Sequence, residues 1–194
     1  MTMELTARML TRIKIPNLLT LLRIILIPVF VVIYYLPWEC AGLAAGAVFA
    51  FAAVTDWFDG YLARKLDQAS ALGAFLDPVA DKLIVVAALV MLVETFNEAW
   101  ITLPVMVIIS REVLISALRE WMAELGKRAS VAVSFVGKVK TALQMLAIFL
   151  MITFTPFSEL SWAGIGALYI AAALTLWSMI VYLKAAWPDL TEDL

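Results

Sequence analysis

The chain has 194 residues, of which 64% are hydrophobic and 15% charged, with a net charge of −2. Soluble domains are about half apolar and about a quarter charged, so this composition excludes an ordinary water-facing globule and predicts an integral membrane protein. Histidine is absent and Cys40 is the single cysteine, which excludes an internal disulfide, a thiolate metal site and imidazole catalysis.

Residues 1–14 are too polar to span a bilayer. Leu5, Met9, Leu10 and Ile13 on one side and Arg8 and Arg12 on another predict a short amphipathic helix on the membrane surface. The apolar run Ile15–Leu36 that follows is longer than the about 7–15 residues of a signal-peptide core, so a retained first transmembrane helix is expected. Six apolar segments follow one another at 16–36, 41–63, 72–94, 100–124, 134–155 and 160–184. Each is near the ~20 residues that cross the hydrocarbon core as a helix. The predicted fold class is therefore all-α: a polytopic membrane protein of six transmembrane helices, with residues 15–186 as one domain and 187–194 as a tail.

The links near 37–40, 95–99 and 156–159 contain no Lys or Arg, whereas the N-terminus, the second link (Arg64, Lys65) and the fourth link (Lys127, Arg128) do. The positive-inside rule then places both termini and those two links in the cytoplasm. Trp38, Trp100, Trp162 and Trp187 fall at segment ends, as an aromatic belt predicts. The charge balance carries no signal for nucleic acid, and no such partner is expected.

Four carboxylates interrupt this apolar chain near the second link. Asp56 and Asp59 share one face of the second helix at i and i+3, and Asp77 and Asp81 share one face of the third at i and i+4. Counted from Arg64 and Gly73, Asp59 and Asp77 lie roughly 6–8 Å in, and Asp56 and Asp81 roughly 12 Å in. They form two layers across one gap between neighbouring helices. Acidic oxygens without nitrogen or sulfur donors call for hard cations such as Mg²⁺, Mn²⁺ or Ca²⁺, and four carboxylates suffice for two ions. Such a pair suits displacement at phosphorus. A capping role, with Pro78 at the first helical position after Asp77, accounts for one aspartate of the four. A cation-coupled transporter is the non-enzymatic alternative. Gly60 and Ala63 either let helices approach closely or clear room for a flat ligand, and spacing does not choose between these.

Basic residues inside apolar helices are functional candidates. Arg111 and Arg119 lie roughly 80° apart on the fourth helix, and Lys138 and Lys140 roughly 200° apart on the fifth, so at most one of the lysines faces a given site. Arg111, Arg119 and Lys138 are the expected anchors for a phosphomonoester. The competing reading pairs Arg111 or Arg119 with Glu112, Glu120 or Glu124, or lets Lys140 snorkel to the interface. Arg23, two turns into the first helix, has no assigned role.

The pattern Asp56-x-x-Asp59-Gly60-x-x-Ala63-Arg64, eight residues, Gly73-x-x-x-Asp77-x-x-x-Asp81 resembles the complete signature of the CDP-alcohol phosphatidyltransferases. The stretches IPNLLTLLR at 15–23 and SREVLISALREWMAELGKR at 110–128 resemble the bacterial branch of that family whose acceptor is glycerol 3-phosphate. The resemblance implies transfer of the phosphatidyl group of CDP-diacylglycerol to sn-glycerol 3-phosphate, with release of CMP. Inositol phosphate is the alternative acceptor. It implies a homodimer in the bacterial inner (cytoplasmic) membrane, with a cytoplasmic active site and two divalent ions, Mg²⁺ or Mn²⁺. It implies that Asp56, Asp59 and Asp77 are metal ligands, and that Asp81 is both a ligand and the general base. It implies that Gly60, Ala63 and Arg64, with Gly73 of the same signature, hold the donor, and that Asn17 and Thr20 line its nucleotide side.

Overall fold

The computed structural model describes residues 15–66, 71–126 and 135–190; for 15–17, 56–66, 71, 72, 74, 75, 77, 135, 136 and 189 it describes the backbone alone. The surface helix expected at 1–14, the link residues Lys127 and Arg128 and the last four residues lie outside the described residues. Six helices are described: α1 (Ile15–Tyr35), α2 (Ala41–Leu66), α3 (Ala71–Phe96), α4 (Ala99–Glu124), α5 (Phe135–Thr153) and α6 (Glu159–Leu190). Each begins within one residue of the apolar segment expected there. α6 outruns its segment, continuing through Trp187 and Pro188 to Leu190. α2 likewise runs past Arg64 and Lys65, which sit on its last turn rather than in the link.

Local signals explain the ends. α3 stops where Asn97 turns left-handed (φ 48°), its N–H bonded to the Val93 carbonyl at 3.0 Å. α4 stops at Gly126 (φ 72°), whose N–H reaches the Ala123 carbonyl at 3.1 Å, a conformation that glycine adopts without a Cβ penalty. α6 starts after Ser158, whose hydroxyl accepts the N–H of Ser161 at 3.4 Å. Four helices carry an interior proline: Pro28 in α1, Pro78 in α3, Pro104 in α4 and Pro188 in α6. Pro78 therefore does not open its helix. It lies seven residues beyond Ala71, where its missing N–H leaves the carbonyl of residue 74 without the usual intrahelical donor.

Spans 18–35, 99–124 and 159–188 are long and apolar enough to cross a membrane. Thr20, Arg23, Thr55, Arg111, Lys140, Gln144, Ser161, Thr175 and Ser178 are buried, while large apolar side chains are exposed. On α1 the exposed stripe is Leu18, Leu22, Ile25, Val29 and Val32, and the buried one is Thr20, Arg23 and Phe30. A helix that hides its polar groups and shows its oil is built for a hydrocarbon solvent.

The chain divides into two units, residues 1–87 and 88–194. In the first, α1 packs on α2. The link 36–40 returns the chain, and Phe30 meets Phe49 with ring centroids 6.0 Å apart. Ala45, Phe49 and Ala52 make the buried stripe of α2.

In the second unit α6 packs on both α4 and α5. Trp100 stacks on Trp162 (5.6 Å, 8°), and further along Ile115, Leu118 and Met122 of α4 cluster with Tyr182 and Ala186 of α6. Positions rise together along the two helices, so α4 and α6 run parallel. The aromatic end is closed by Phe157, which lies 5.3 Å from Phe96 and 5.8 Å from Trp162. Tyr169 also donates to the Trp100 carbonyl at 2.6 Å. α5 approaches α6 closely at Gly164, where an added Cβ would lie 2.9 Å from Met151 Cγ, 3.0 Å from Leu150 Cβ and 3.1 Å from the Ala147 carbonyl oxygen. An added Cβ at Gly166 would meet nothing within 4 Å. Gly164→Ala is therefore expected to destabilise by about 1–3 kcal/mol through overpacking. Gly166→Ala should be neutral or stabilising, by up to about 1 kcal/mol of helix propensity. Thermal unfolding in detergent reads the opposite signs, and equal shifts would refute the close contact.

Candidate active site

The described helices carry two groups of polar residues, one in each unit. In the first unit, α2 carries Asp56, Asp59, Gly60, Ala63 and Arg64, and α3 carries Gly73, Asp77 and Asp81. Ala45, Phe49 and Ala52 are the buried stripe of the described part of α2. Gly73 is buried and Asp81 is exposed, with Ala80 and Ile84 making the core face of α3 beside it. The side chains of Asn17, Asp56, Asp59, Ala63, Arg64 and Asp77, and the surroundings of Gly60, lie outside the described residues. Among the described residues no three acidic, histidine or cysteine side chains come together. Thr20 on α1 is fully buried (0%), and one turn on, Arg23 is buried to 1%.

The second group lies on α4, α5 and α6. The inward stripe of α4 runs Ile101, Pro104, Val105, Ile108, Arg111, Ile115, Leu118 and Met122, so Arg111 occupies a core position. Arg111 Nη1 donates to Glu112 Oε1 at 2.9 Å, and Nη2 to Ser178 Oγ at 3.4 Å. Ser178 in turn donates to the Thr175 carbonyl at 2.9 Å. Lys140 Nζ reaches the same Glu112 oxygen at 2.8 Å. Arg111 and Arg119 each place Cζ 5.6 Å from the centroid of the Tyr182 ring, and cations favour such aromatic faces. Arg111 lies roughly 16 Å along α4 from Trp100, and Arg119 roughly 12 Å further. Of the three expected anchors, Arg111 and Arg119 therefore meet at one tyrosine, Arg111 buried and Arg119 exposed. Lys138 is exposed, and Lys140 is buried on α5 instead of reaching the interface.

A sequence profile of the CDP-alcohol phosphatidyltransferases matches residues 13–181. The chain belongs to the CDP-alcohol phosphatidyltransferase family. Three enzymes named CDP-diacylglycerol–glycerol-3-phosphate 3-phosphatidyltransferase are similar to it over nearly their whole length. That of Pectobacterium atrosepticum is 57% identical over 179 residues, 92% of this chain and 98% of the relative. That of Sodalis glossinidius is 56% identical over 181 residues, 93% of this chain and 99% of the relative. That of Escherichia coli K12 is 54% identical over 180 residues, 93% of this chain and 98% of the relative.

In this CDP-alcohol phosphatidyltransferase, sequence reasoning left four polar side chains without a place in a site. Arg23 shares a buried stripe with Thr20 and Phe30, at spacings of three and seven. Glu112 was read as a structural partner of an arginine, and it binds Lys140 as well. Lys140 opens a stripe continued by Gln144, Ala147, Ile148 and Met151, all buried, and that spacing is the signal that marks it as inward-facing. Tyr182 had no sequence signal beyond its place seven residues from Thr175 on α6.

Proposed function

We propose that the chain transfers the phosphatidyl group of CDP-diacylglycerol to sn-glycerol 3-phosphate, forming phosphatidylglycerophosphate and CMP. The observation that carries this reading is the near full-length match, at 54–57% identity, to enzymes bearing that name. The intact signature at residues 56–81 supports it. The protein acts as a homodimer in the bacterial inner membrane. Six helices span the bilayer within the domain 15–186, the segment 1–14 lies on the surface, and 187–194 forms the C-terminal end. Both termini and the links after α2 and α4 face the cytoplasm. The parallel course of α4 and α6 supports this orientation, since it puts the C-terminal ends of the two helices on one side.

The donor set on α2 and α3 fits hard divalent cations. It consists of four carboxylates, with no histidine in the chain and no cysteine on either helix. Asp56, Asp59, Asp77 and Asp81 would hold two ions, Mg²⁺ or Mn²⁺. Bound there, such ions polarise phosphoryl oxygens and neutralise developing charge. Gly60, Ala63, Arg64 and Gly73, with Asn17 and Thr20 of α1, hold the cytidine diphosphate portion of the donor. Arg111, Arg119 and Lys138 attract the phosphate of the acceptor. Asp81 accepts the proton of the attacking hydroxyl, a carboxylate being the plausible base in a chain without histidine. The hydroxyl oxygen bonds to the β-phosphorus, the bond from that phosphorus to the bridging oxygen breaks, and CMP leaves.

The test is CMP release by purified protein given CDP-diacylglycerol and a panel of acceptors, with each divalent metal in turn. Glycerol 3-phosphate with Mg²⁺ or Mn²⁺ should give the highest rate. Release with inositol phosphate alone would change the acceptor, and donor-independent cation uptake without CMP would replace the enzyme by a transporter.

A further inference from the structure

Two cations share a single carboxylate oxygen. Glu112 Oε1 accepts from Arg111 Nη1 at 2.9 Å and from Lys140 Nζ at 2.8 Å. Both donors are buried, Arg111 to 6% and Lys140 to 4% exposure, on the inward stripes of α4 and α5. A guanidinium remains protonated in proteins, so with an ammonium beside it one carboxylate leaves a surplus of positive charge. Arg119, on the same tyrosine ring as Arg111, adds to that surplus. The other acids of α4, Glu120 and Glu124, are exposed and α5 has none; of the two on α6, Glu159 sits at the opposite end from Tyr182, and the side chain of Asp189 lies outside the described residues. Arg111 Nε is also buried with no hydrogen-bond partner among the described residues. A surplus cation and an unused donor are costly in an apolar interior unless something completes them.

We propose that Glu112 is a positioning residue for the acceptor: it holds Arg111 and Lys140 side by side, leaving the surplus charge that a phosphomonoester dianion completes. This rests on the assignment of Arg111 to the acceptor phosphate made above. Glu112 touches no substrate. It acts through the two cations, which would repel and separate without it. Lys140, two residues beyond the lysine that sequence reasoning favours, is the second cation of the pair. One carboxylate shared by two cations, rather than one for each, is what keeps the cluster attractive to an anion.

The experiment measures CMP release while glycerol 3-phosphate and CDP-diacylglycerol are varied in turn, with wild type, Glu112→Gln, Lys140→Met and Lys138→Met in parallel. Glu112→Gln should raise the KM for glycerol 3-phosphate about tenfold or more and leave the KM for CDP-diacylglycerol within about twofold. Lys140→Met should raise the same KM more than Lys138→Met does. A fall in kcat and melting temperature with both KM values unchanged would make Glu112 purely structural and overturn the proposal. A lower acceptor KM in Glu112→Gln would mean that the carboxylate competes with phosphate, and would overturn it too. Where Glu112→Gln does not fold, Glu112→Gln/Lys140→Met removes one charge of each sign. It should recover the melting temperature while the acceptor KM stays raised, and a wild-type KM there refutes the role. Wild type that releases no CMP with glycerol 3-phosphate takes down the function and this inference together. Active wild type with an unaltered Glu112→Gln takes down the inference alone.

Discussion

Asp81→Asn is expected to lower CMP release by about 10²–10⁴-fold, the usual contribution of a positioned general base. Asparagine keeps the size of the side chain and cannot take a proton. The side chain is exposed, and the core face of α3 beside it is made by Ala80 and Ile84, so the helix and its packing should survive. An unchanged melting temperature would confirm that the loss is chemical. The same residue is assigned to a metal, which is separable. If raising Mn²⁺ restores the rate, Asp81 serves as a ligand only. If the rate stays low at saturating Mn²⁺, the missing proton acceptor is the cause. Near-normal turnover in Asp81→Asn would remove the base assignment outright.

Arg111→Met should split function from stability. The substitution takes a guanidinium off the core stripe of α4 and replaces it with an apolar side chain of similar reach. Glu112 and Lys140 are then left as a balanced pair, and Ser178 keeps its bond to the Thr175 carbonyl. Replacing a buried charge by a well-packed apolar group is often neutral or stabilising, so the melting temperature should hold or rise. Losing charge-assisted hydrogen bonds to an acceptor phosphate costs about 1.5–3 kcal/mol, or about 10- to 150-fold in kcat/KM for glycerol 3-phosphate. The KM for CDP-diacylglycerol should hardly move. Equal losses for both substrates would place Arg111 outside the acceptor pocket.

The helices were largely legible in the sequence because a bilayer demands length and apolarity, and both are local properties. Each described helix begins within one residue of its expected segment. What sequence could not supply was absolute rotation. Spacing showed that Lys138 and Lys140 cannot face one site together, but the choice depends on which stripe of α5 meets its neighbours. That stripe is set by Gln144, Ala147, Ile148 and Met151 against α6. Pro78 is a related case. In water a proline inside a helix is costly, which is what gave the capping reading its footing, although the apolar segment already starts at 72. In a membrane protein neighbouring groups re-satisfy the freed backbone, and α3 runs through it. The signature aspartates were placed on the right pair of helices by spacing alone, while the pairing of Glu112 with two cations needed the tertiary structure.

The interior prolines of α1, α3, α4 and α6 have a consequence for the chain before it reaches the bilayer. A newly made segment this apolar, held in water, is the kind that stacks into intermolecular β-structure. Proline cannot donate to a β ladder and is excluded from the middle of a sheet. A helix buried in protein or lipid tolerates the same residue at modest cost. Pro28, Pro78 and Pro104 sit well inside their segments, so half of the six helices carry a built-in obstacle to amyloid-like misassembly during biogenesis. Replacing these prolines by alanine would then have two faces: straighter helices in the membrane, and more aggregated chain on the way to it.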